Sequence, residues 1–521
     1  MTDAAPDWAD LDALRGELAG GGLRPLGLGR VVAGGGALDA LPGLVEELGG
    51  PGDVVVLAAA TPITAAGRDL RAAAEAALGR ARWVVVGPDD GAVHADAATL
   101  ATAAEAAEGA GCVVTIGSGT ITDIGKAIDF ERPGSRLISL QTATSVNGYA
   151  DPFSVLLRKG VKRTTASRWP DALLVDTDVL AGAPPELNRA GAGDMMAMFT
   201  ALADWYLASA VAGREPLGEL PGAAAGRSAD PRDAAGRTAD PRDAAGRTAD
   251  PRDAAGRTGD PPFHPAVARL VRARGPRLLA LAGGLGGGRA DAENATAGRA
   301  TPDRSALAEL AGLLTLSGIS MGVAGSTAPA SGMEHAVSHL LEMTATARGE
   351  RGNYHGTQVG VAAVVAARTW ARVLERIDDG VLDRPAALPD PDAARRRIDR
   401  AFAGVDPSGA MAGECFADYA RKLTRLAAGG DPLAVLRASW PRHRAMLDDL
   451  LSDPGTLTGA LASAGLPARF ADLAEPVDEA TARWAVANCP LQRQRFGVAD
   501  LAMLIGAWED DDIDAVLDGM T

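Results

Sequence analysis

The sequence predicts an α/β unit built on a parallel sheet over residues 1–177, followed by an all-helical unit over residues 178–521. Three observations predict it. Short Val-rich runs alternate with helical stretches through the first part of the chain. These runs are apolar almost without interruption, as suits strands buried on both faces. From Pro184 onward the pattern changes to long helical periods joined by short loops.

Taken in order, residues 7–19 read as an amphipathic helix, and Arg30 to Leu38 as a strand entering a glycine turn. A helix to about Leu48 leads to a strand at Asp53 to Leu57, a helix over Ala65 to Ala81, and a strand at Trp83 to Gly87. A helix from Ala97 to Ala110 precedes the strand Cys112 to Ile116, and Leu137 to Leu140 is a further strand. Ser154 to Leu157 and Arg163 to Ala166 read as a hairpin around Lys159-Gly160, and Ala172 to Asp176 closes the α/β part. Two segments interrupt the helical part. Residues 222–262 repeat Ala-Ala-Gly-Arg-Thr/Ser-Ala-Asp-Pro-Arg-Asp with a ten-residue period that lacks large apolar side chains, so they read as a disordered insertion. Residues 284–304 read as a loose loop.

Composition narrows the function. Acidic residues exceed basic ones by 67 to 51, a formal charge of −16, which argues against a nucleic-acid partner. Cys112, Cys415 and Cys489 are too scattered for a disulfide framework or a thiolate zinc site, and fit a reducing cytoplasm. The N-terminus lacks a signal-peptide pattern, and no uninterrupted apolar stretch suggests membrane insertion.

Two motifs carry chemistry. After the strand ending at Ile116 comes Gly117-Ser118-Gly119-Thr120-Ile121-Thr122-Asp123-Ile124-Gly125-Lys126. A strand, a glycine turn and a helix start offer backbone N–H groups to phosphate; in isolation, the same glycines could equally do no more than tighten the turn. Small hydroxyl residues at Gln141 to Asp151 follow the next strand and face the same crevice, or form an ordinary polar loop. The second motif is histidine. Of six histidines in the chain, His335, His339 and His355 cluster, and His335 and His339, four apart, share one helix face. With Asp194 they suggest a divalent metal held by imidazole and carboxylate with a position left open. A helical zinc protease is disfavoured, because Ala336 stands where its glutamate would follow the first histidine and Ser331 where the inverted form needs histidine.

In order and spacing these motifs resemble the sn-glycerol-1-phosphate dehydrogenases, within the larger group of iron-containing alcohol dehydrogenases, polyol dehydrogenases and dehydroquinate synthases. The resemblance runs through Gly117 to Lys126, Thr142 to Ser145, Gly160 to Lys162, Ala190 to Asp194, Ser326 to His339, His355 to Gly360 and Arg493 to Phe496. It implies a dehydroquinate synthase-like fold, with a Rossmann-like NAD(P)-binding domain, a helical domain and an active site between them. By resemblance Asp194, His335 and His355 are the metal ligands, with zinc, nickel or iron as the ion. Gly117, Ser118, Gly119, Thr120, Ile121, Asp123, Thr142, Ser145 and Asp151 are the cofactor positions. His339 and Asn147 are the catalytic candidates, and both contact substrate together with Asp194 and Lys162. The implied reaction interconverts dihydroxyacetone phosphate and sn-glycerol 1-phosphate in a homo-oligomer, a dimer or larger. Two positions depart from the family pattern. Asn147 replaces an aspartate and cannot shuttle a proton, and Asp151 replaces a small hydroxyl residue and brings a negative charge that an anionic ligand would resist unless a cation compensates. The segment Ala58-Ala59-Ala60-Thr61 lacks an acid to grip a ribose hydroxyl, leaving NAD and NADP open. The competing functions are a polyol or alcohol dehydrogenase, a dehydroquinate synthase-like enzyme acting on a non-phosphorylated or cyclic substrate, and a non-enzymatic binding module whose repeat recruits a partner.

Overall fold

The computed structural model describes residues 7–19, 22–49, 52–88, 93–131, 134–214, 261–286 and 302–521. Its first part is a six-stranded parallel sheet of β1 (Arg30–Gly34), β2 (Asp53–Ala58), β5 (Arg82–Val85), β6 (Ala110–Gly117), β7 (Arg136–Gln141) and β10 (Ala172–Asp176), in the order β1-β10-β7-β6-β2-β5. Side chains alternate between two cores. Val55, Leu57 and Val113 pack on one face with Ile121, Ile124 and Ile128, while Val56 and Val114 pack on the other with Leu41, Leu44 and Leu70. The Val-rich runs therefore predict what is found, strands covered on both sides.

Two local expectations fail for identifiable reasons. The helix expected from Ala65 starts only at Leu70, because Ala66 and Gly67 both adopt positive φ and turn a small hairpin, β3 (Thr64–Ala65) with β4 (Arg68–Asp69). Asp69 then caps the helix by accepting from Ala72 N at 2.9 Å. The helix expected to reach Ala110 stops at Ala106, where Gly109 at φ +75° turns the chain into β6.

The antiparallel hairpin β8 (Phe153–Arg158) with β9 (Val161–Ala166) is present as expected and pairs Leu157 with Lys162. After β10 the described chain is helical. The Pro185–Met195, Met333–Arg348 and His355–Asp378 helices carry the candidate ligands. One large core joins Phe199, Trp205, Leu310, Val337, Leu340, Val361 and Val364, and it takes in Trp8, Leu11 and Leu14 from the N-terminus. The first helix, Leu11–Glu17, thus packs on the helical part, Trp8 lying against Gly312.

The two expected loose segments fall outside the described residues except at their margins, where Gly275–Leu285 ends and Arg304–Ala324 begins as helix. Arg304–Ala324 is a helix long and apolar enough to cross a membrane, although Glu309 and several Ser, Thr and Gly residues interrupt its apolar run. However, 89% of its apolar window is buried inside the fold.

Candidate active site

The Pro185–Met195 and His355–Asp378 helices cross with their backbones in near contact, and glycines make that approach possible. A Cβ added at Gly193 would lie 2.2 Å from Gly356 O, and one at Gly356 would lie 2.0 Å from Ala190 O. The glycines beside Asp194 and His355 therefore let the two helices bring those side chains together, which is the reason for the Ala190 to Asp194 and His355-Gly356 motifs.

Asp194, His335 and His355 offer ligand atoms that all lie within 4.8 Å of one another. Asp194 Oδ1 is 3.4 Å from His335 Nε2 and 3.9 Å from His355 Nε2. Its other oxygen accepts from the Asn147 backbone N–H at 3.0 Å. Oδ1 is buried with no hydrogen-bond partner, and a buried carboxylate oxygen facing two imidazole nitrogens is strongly unfavourable unless a cation joins them. The donor set fits a zinc-like divalent ion with an open coordination position, so the residues present suit the group that the motifs imply. Burial pulls the His335 imidazole down, but the neighbouring Asp194 and Glu334 carboxylates override it and raise its pKa to about 9.

His339 sits one helical turn past His335, with its ring stacked on His355 at 5.5 Å. Burial, then the neighbouring charge of His355, holds its pKa well below the ordinary imidazole range. The Asn147 side chain donates to Ser317 Oγ at 3.1 Å, so this residue supports Asp194 through its backbone and faces the helical part through its amide. Lys162 pairs with the Glu342 carboxylate, which in turn contacts His355 Nδ1 at 2.6 Å. Sequence reasoning gave Glu342 no role. The available signal was spacing, since Glu342 lies seven residues after His335 and three after His339, on one helix face.

The cofactor candidates gather at the carboxyl ends of β6 and β7, whose register sets Gly117 opposite Gln141. The connections after β2 and β6, adjacent strands, run in opposite directions, which opens the crevice where parallel sheets bind ligands. A Cβ at Gly119 would lie 2.6 Å from Val146 Cγ2, so the glycine turn packs against the residue preceding Asn147. Thr142 N–H donates to Gly117 O at 3.2 Å, and Ser145 Oγ meets Tyr149 OH at 3.1 Å. Thr144 ties this loop to the Asp194 helix, its N–H donating to Asn188 Oδ1 at 2.9 Å. The loop after β7 thereby joins the glycine turn to the helix that carries Asp194.

Asp123 and Asp151 are placed differently. Lys126 is fully buried between them, 3.1 Å from Asp123 and 3.0 Å from Asp151, and it donates to Gly148 O at 2.6 Å. Asp123 also accepts from Val155 N at 3.1 Å. The compensating cation that Asp151 requires is therefore present, and both acids brace the loop from beneath.

The glycine turn after β6 lies in the sheet-bearing part and the Asp194, His335 and His355 cluster in the helical part, and the comparisons show what this chain is similar to. Residues 32–184 match the iron-containing alcohol dehydrogenase family model. That match covers the sheet-bearing first part of the chain, which is similar to this family there. Its curated relatives include the glycerol-1-phosphate dehydrogenases of Bacillus licheniformis, 29% identical over 49% of this chain and 48% of that protein, and of Bacillus subtilis, 28% identical over 52% of each. The same enzyme of Aeropyrum pernix is 28% identical over 66% of this chain and 79% of that protein. The chain thus spans about half the length of the first two relatives. Among solved structures, a probable glycerol dehydrogenase from Sinorhizobium meliloti 1021 superposes with a TM-score of 0.50 at 16% identity, covering 93% of this chain and 97% of that one, and this likeness concerns the fold.

Proposed function

We propose that the chain is an NAD(P)-linked, metal-dependent alcohol dehydrogenase that interconverts dihydroxyacetone phosphate and sn-glycerol 1-phosphate. The observation that carries this reading is the convergence of Asp194, His335 and His355 on one unpartnered carboxylate oxygen beside the glycine turn. A bound divalent ion supplies Lewis acidity, polarising the ketone or acidifying the alcohol. The rest falls to the protein. Gly117 to Ile121 hold the dinucleotide phosphates with backbone N–H groups, and Thr142 and Ser145 line the floor toward the nicotinamide. His339, stacked on His355, takes the hydroxyl proton on oxidation and returns it on reduction. Asn147 keeps Asp194 aimed and leaves its amide oxygen to accept from a substrate hydroxyl.

The names of the relatives support the phosphorylated substrate. The buried pairing of Asp151 with Lys126 supports it too, because it removes the electrostatic objection to an anion. The test is metal analysis of the purified protein together with a panel of ketones and polyols, run with NADH, NADPH and their oxidised forms and followed by nicotinamide absorbance. Dihydroxyacetone phosphate should be reduced. Turnover confined to an unphosphorylated polyol or ketone would move the assignment to the polyol dehydrogenases, and no turnover with any of them would defeat it.

A further inference from the structure

Each candidate ligand histidine is backed by its own buried glutamate. Glu334 Oε1 lies 3.0 Å from His335 Nδ1, and Glu342 Oε1 lies 2.6 Å from His355 Nδ1. An ionised carboxylate only accepts, so in each contact Nδ1 carries the proton, and the imidazole can offer its Nε2 lone pair on the side facing Asp194. The two glutamates are anchored differently. Glu334 is fixed within the helical part, accepting from Thr200 Oγ1 at 2.8 Å and from Gly332 N at 2.5 Å. Glu342 instead finds its countercharge across the crevice, in Lys162 of β9, with Ser338 Oγ 3.4 Å from its Oε1. Glu342 is 8% exposed, and a carboxylate so enclosed is strongly destabilising without a cation.

We infer that Glu342 and Lys162 act as a pair of positioning residues for the metal, Glu342 setting the tautomer and aim of His355 and Lys162 holding Glu342 from the opposite wall. The inference rests on Asp194, His335 and His355 being the ligands. It gives Lys162 a role at the ion instead of at a substrate phosphate. It also makes metal retention depend on the β8–β9 hairpin of the α/β part staying closed on the Met333–Arg348 helix, so a contact between the two parts of the chain becomes a condition for loading the site.

The experiment is chelator competition for zinc on the full chain, comparing wild type with E342Q, K162M, K162R and the E342Q/K162M double variant. The melting temperature of each metal-free form serves as the folding control. E342Q and K162M should each weaken zinc binding by about 10- to 100-fold. The double variant should be no weaker than E342Q alone, since the two residues act through one contact, and K162R should recover most of the loss. Zinc-saturated K162M should keep a near-normal KM for dihydroxyacetone phosphate. Unchanged zinc affinity in both single variants overturns the inference, as does a K162M variant that binds zinc normally but has a raised KM for the phosphorylated ketone. If E342Q does not fold, the K162M and K162R comparison decides alone. A wild-type chain that takes up no stoichiometric metal overturns the ligand assignment itself, an outcome distinct from normal zinc binding by the variants.

Discussion

Gly193 and Gly356 lie face to face where two helices cross, so closely that a Cβ on Gly193 would come within 2.2 Å of Gly356 O. Asp194 and His355 are their immediate chain neighbours. The crossing therefore sets the spacing of Asp194 and His355, and a methyl group there has no flexible side chain to push aside. Gly193→Ala should cost about 1–3 kcal/mol by overpacking and also weaken metal binding. Chemical denaturation and metal titration check the two effects, and a variant with unaltered metal affinity would show that the crossing does not set the site.

Replacing the unpartnered carboxylate should separate ion binding from folding. In Asp194→Asn the amide oxygen can still accept from Asn147 N–H, but the charged oxygen facing both imidazoles is gone. Metal content should fall from one ion per chain toward none, with turnover falling in parallel and the circular dichroism spectrum unchanged. His355→Ala should lose metal and turnover together.

Lys126 neutralises two buried carboxylates and ties down Gly148 O, next to the residue that supports Asp194. Lys126→Met leaves Asp123 and Asp151 uncompensated, a loss of about 3–5 kcal/mol by comparison with other broken buried pairs. Urea denaturation of the metal-free chain measures it.

Burial raises the Asp151 carboxyl to about 6 in spite of the opposing pull of Lys126. Between its ordinary value of 3.8 and about 6, the folded chain keeps a proton that the unfolded chain has released. The contribution of this group to stability therefore falls as pH rises across that window and is constant above it. Relative to Asp151→Asn, the wild-type denaturation midpoint should drop over the same interval and run parallel at higher pH. A difference that grows in the opposite direction would contradict the assignment.

The described residues that flank the ten-residue repeat lie side by side. Ser209 Oγ donates to Arg214 O at 3.2 Å and accepts from Phe263 N at 3.0 Å, so one hydroxyl bridges the chain before and after it. Trp205 Nε1 donates to Pro261 O at 2.9 Å on the same helix. Replacing residues 215–260 with a short glycine-serine linker should leave melting temperature and turnover close to those of the full chain. Loss of turnover without loss of folding would give the repeat a functional part.

Much of this arrangement is legible in the residues alone. The burial of β2 and β6 on both faces follows from their Val-rich runs, and His335 and His339 share a helix face as their spacing demands. The glycine turn after β6 and the order of a parallel sheet followed by helices follow from local pattern, because strand and helix periodicity and turn chemistry act over a few residues. Lys126 shows where that reach ends. In the sequence it is a lysine about two turns into a helix after a glycine loop, and only the fold shows it buried between Asp123 and Asp151.

The sequence by itself determined which chemical groups this protein owns and on which kind of element each one sits. The tertiary structure alone decided that Glu342 meets Lys162 across 180 residues of chain, that Asn147 supports Asp194 through its backbone, and that Asp151 carries a countercharge. The reason is physical. Such pairings are fixed by how closely two helices can cross and by which loops the sheet register sets side by side, and neither quantity is encoded in any short stretch of residues.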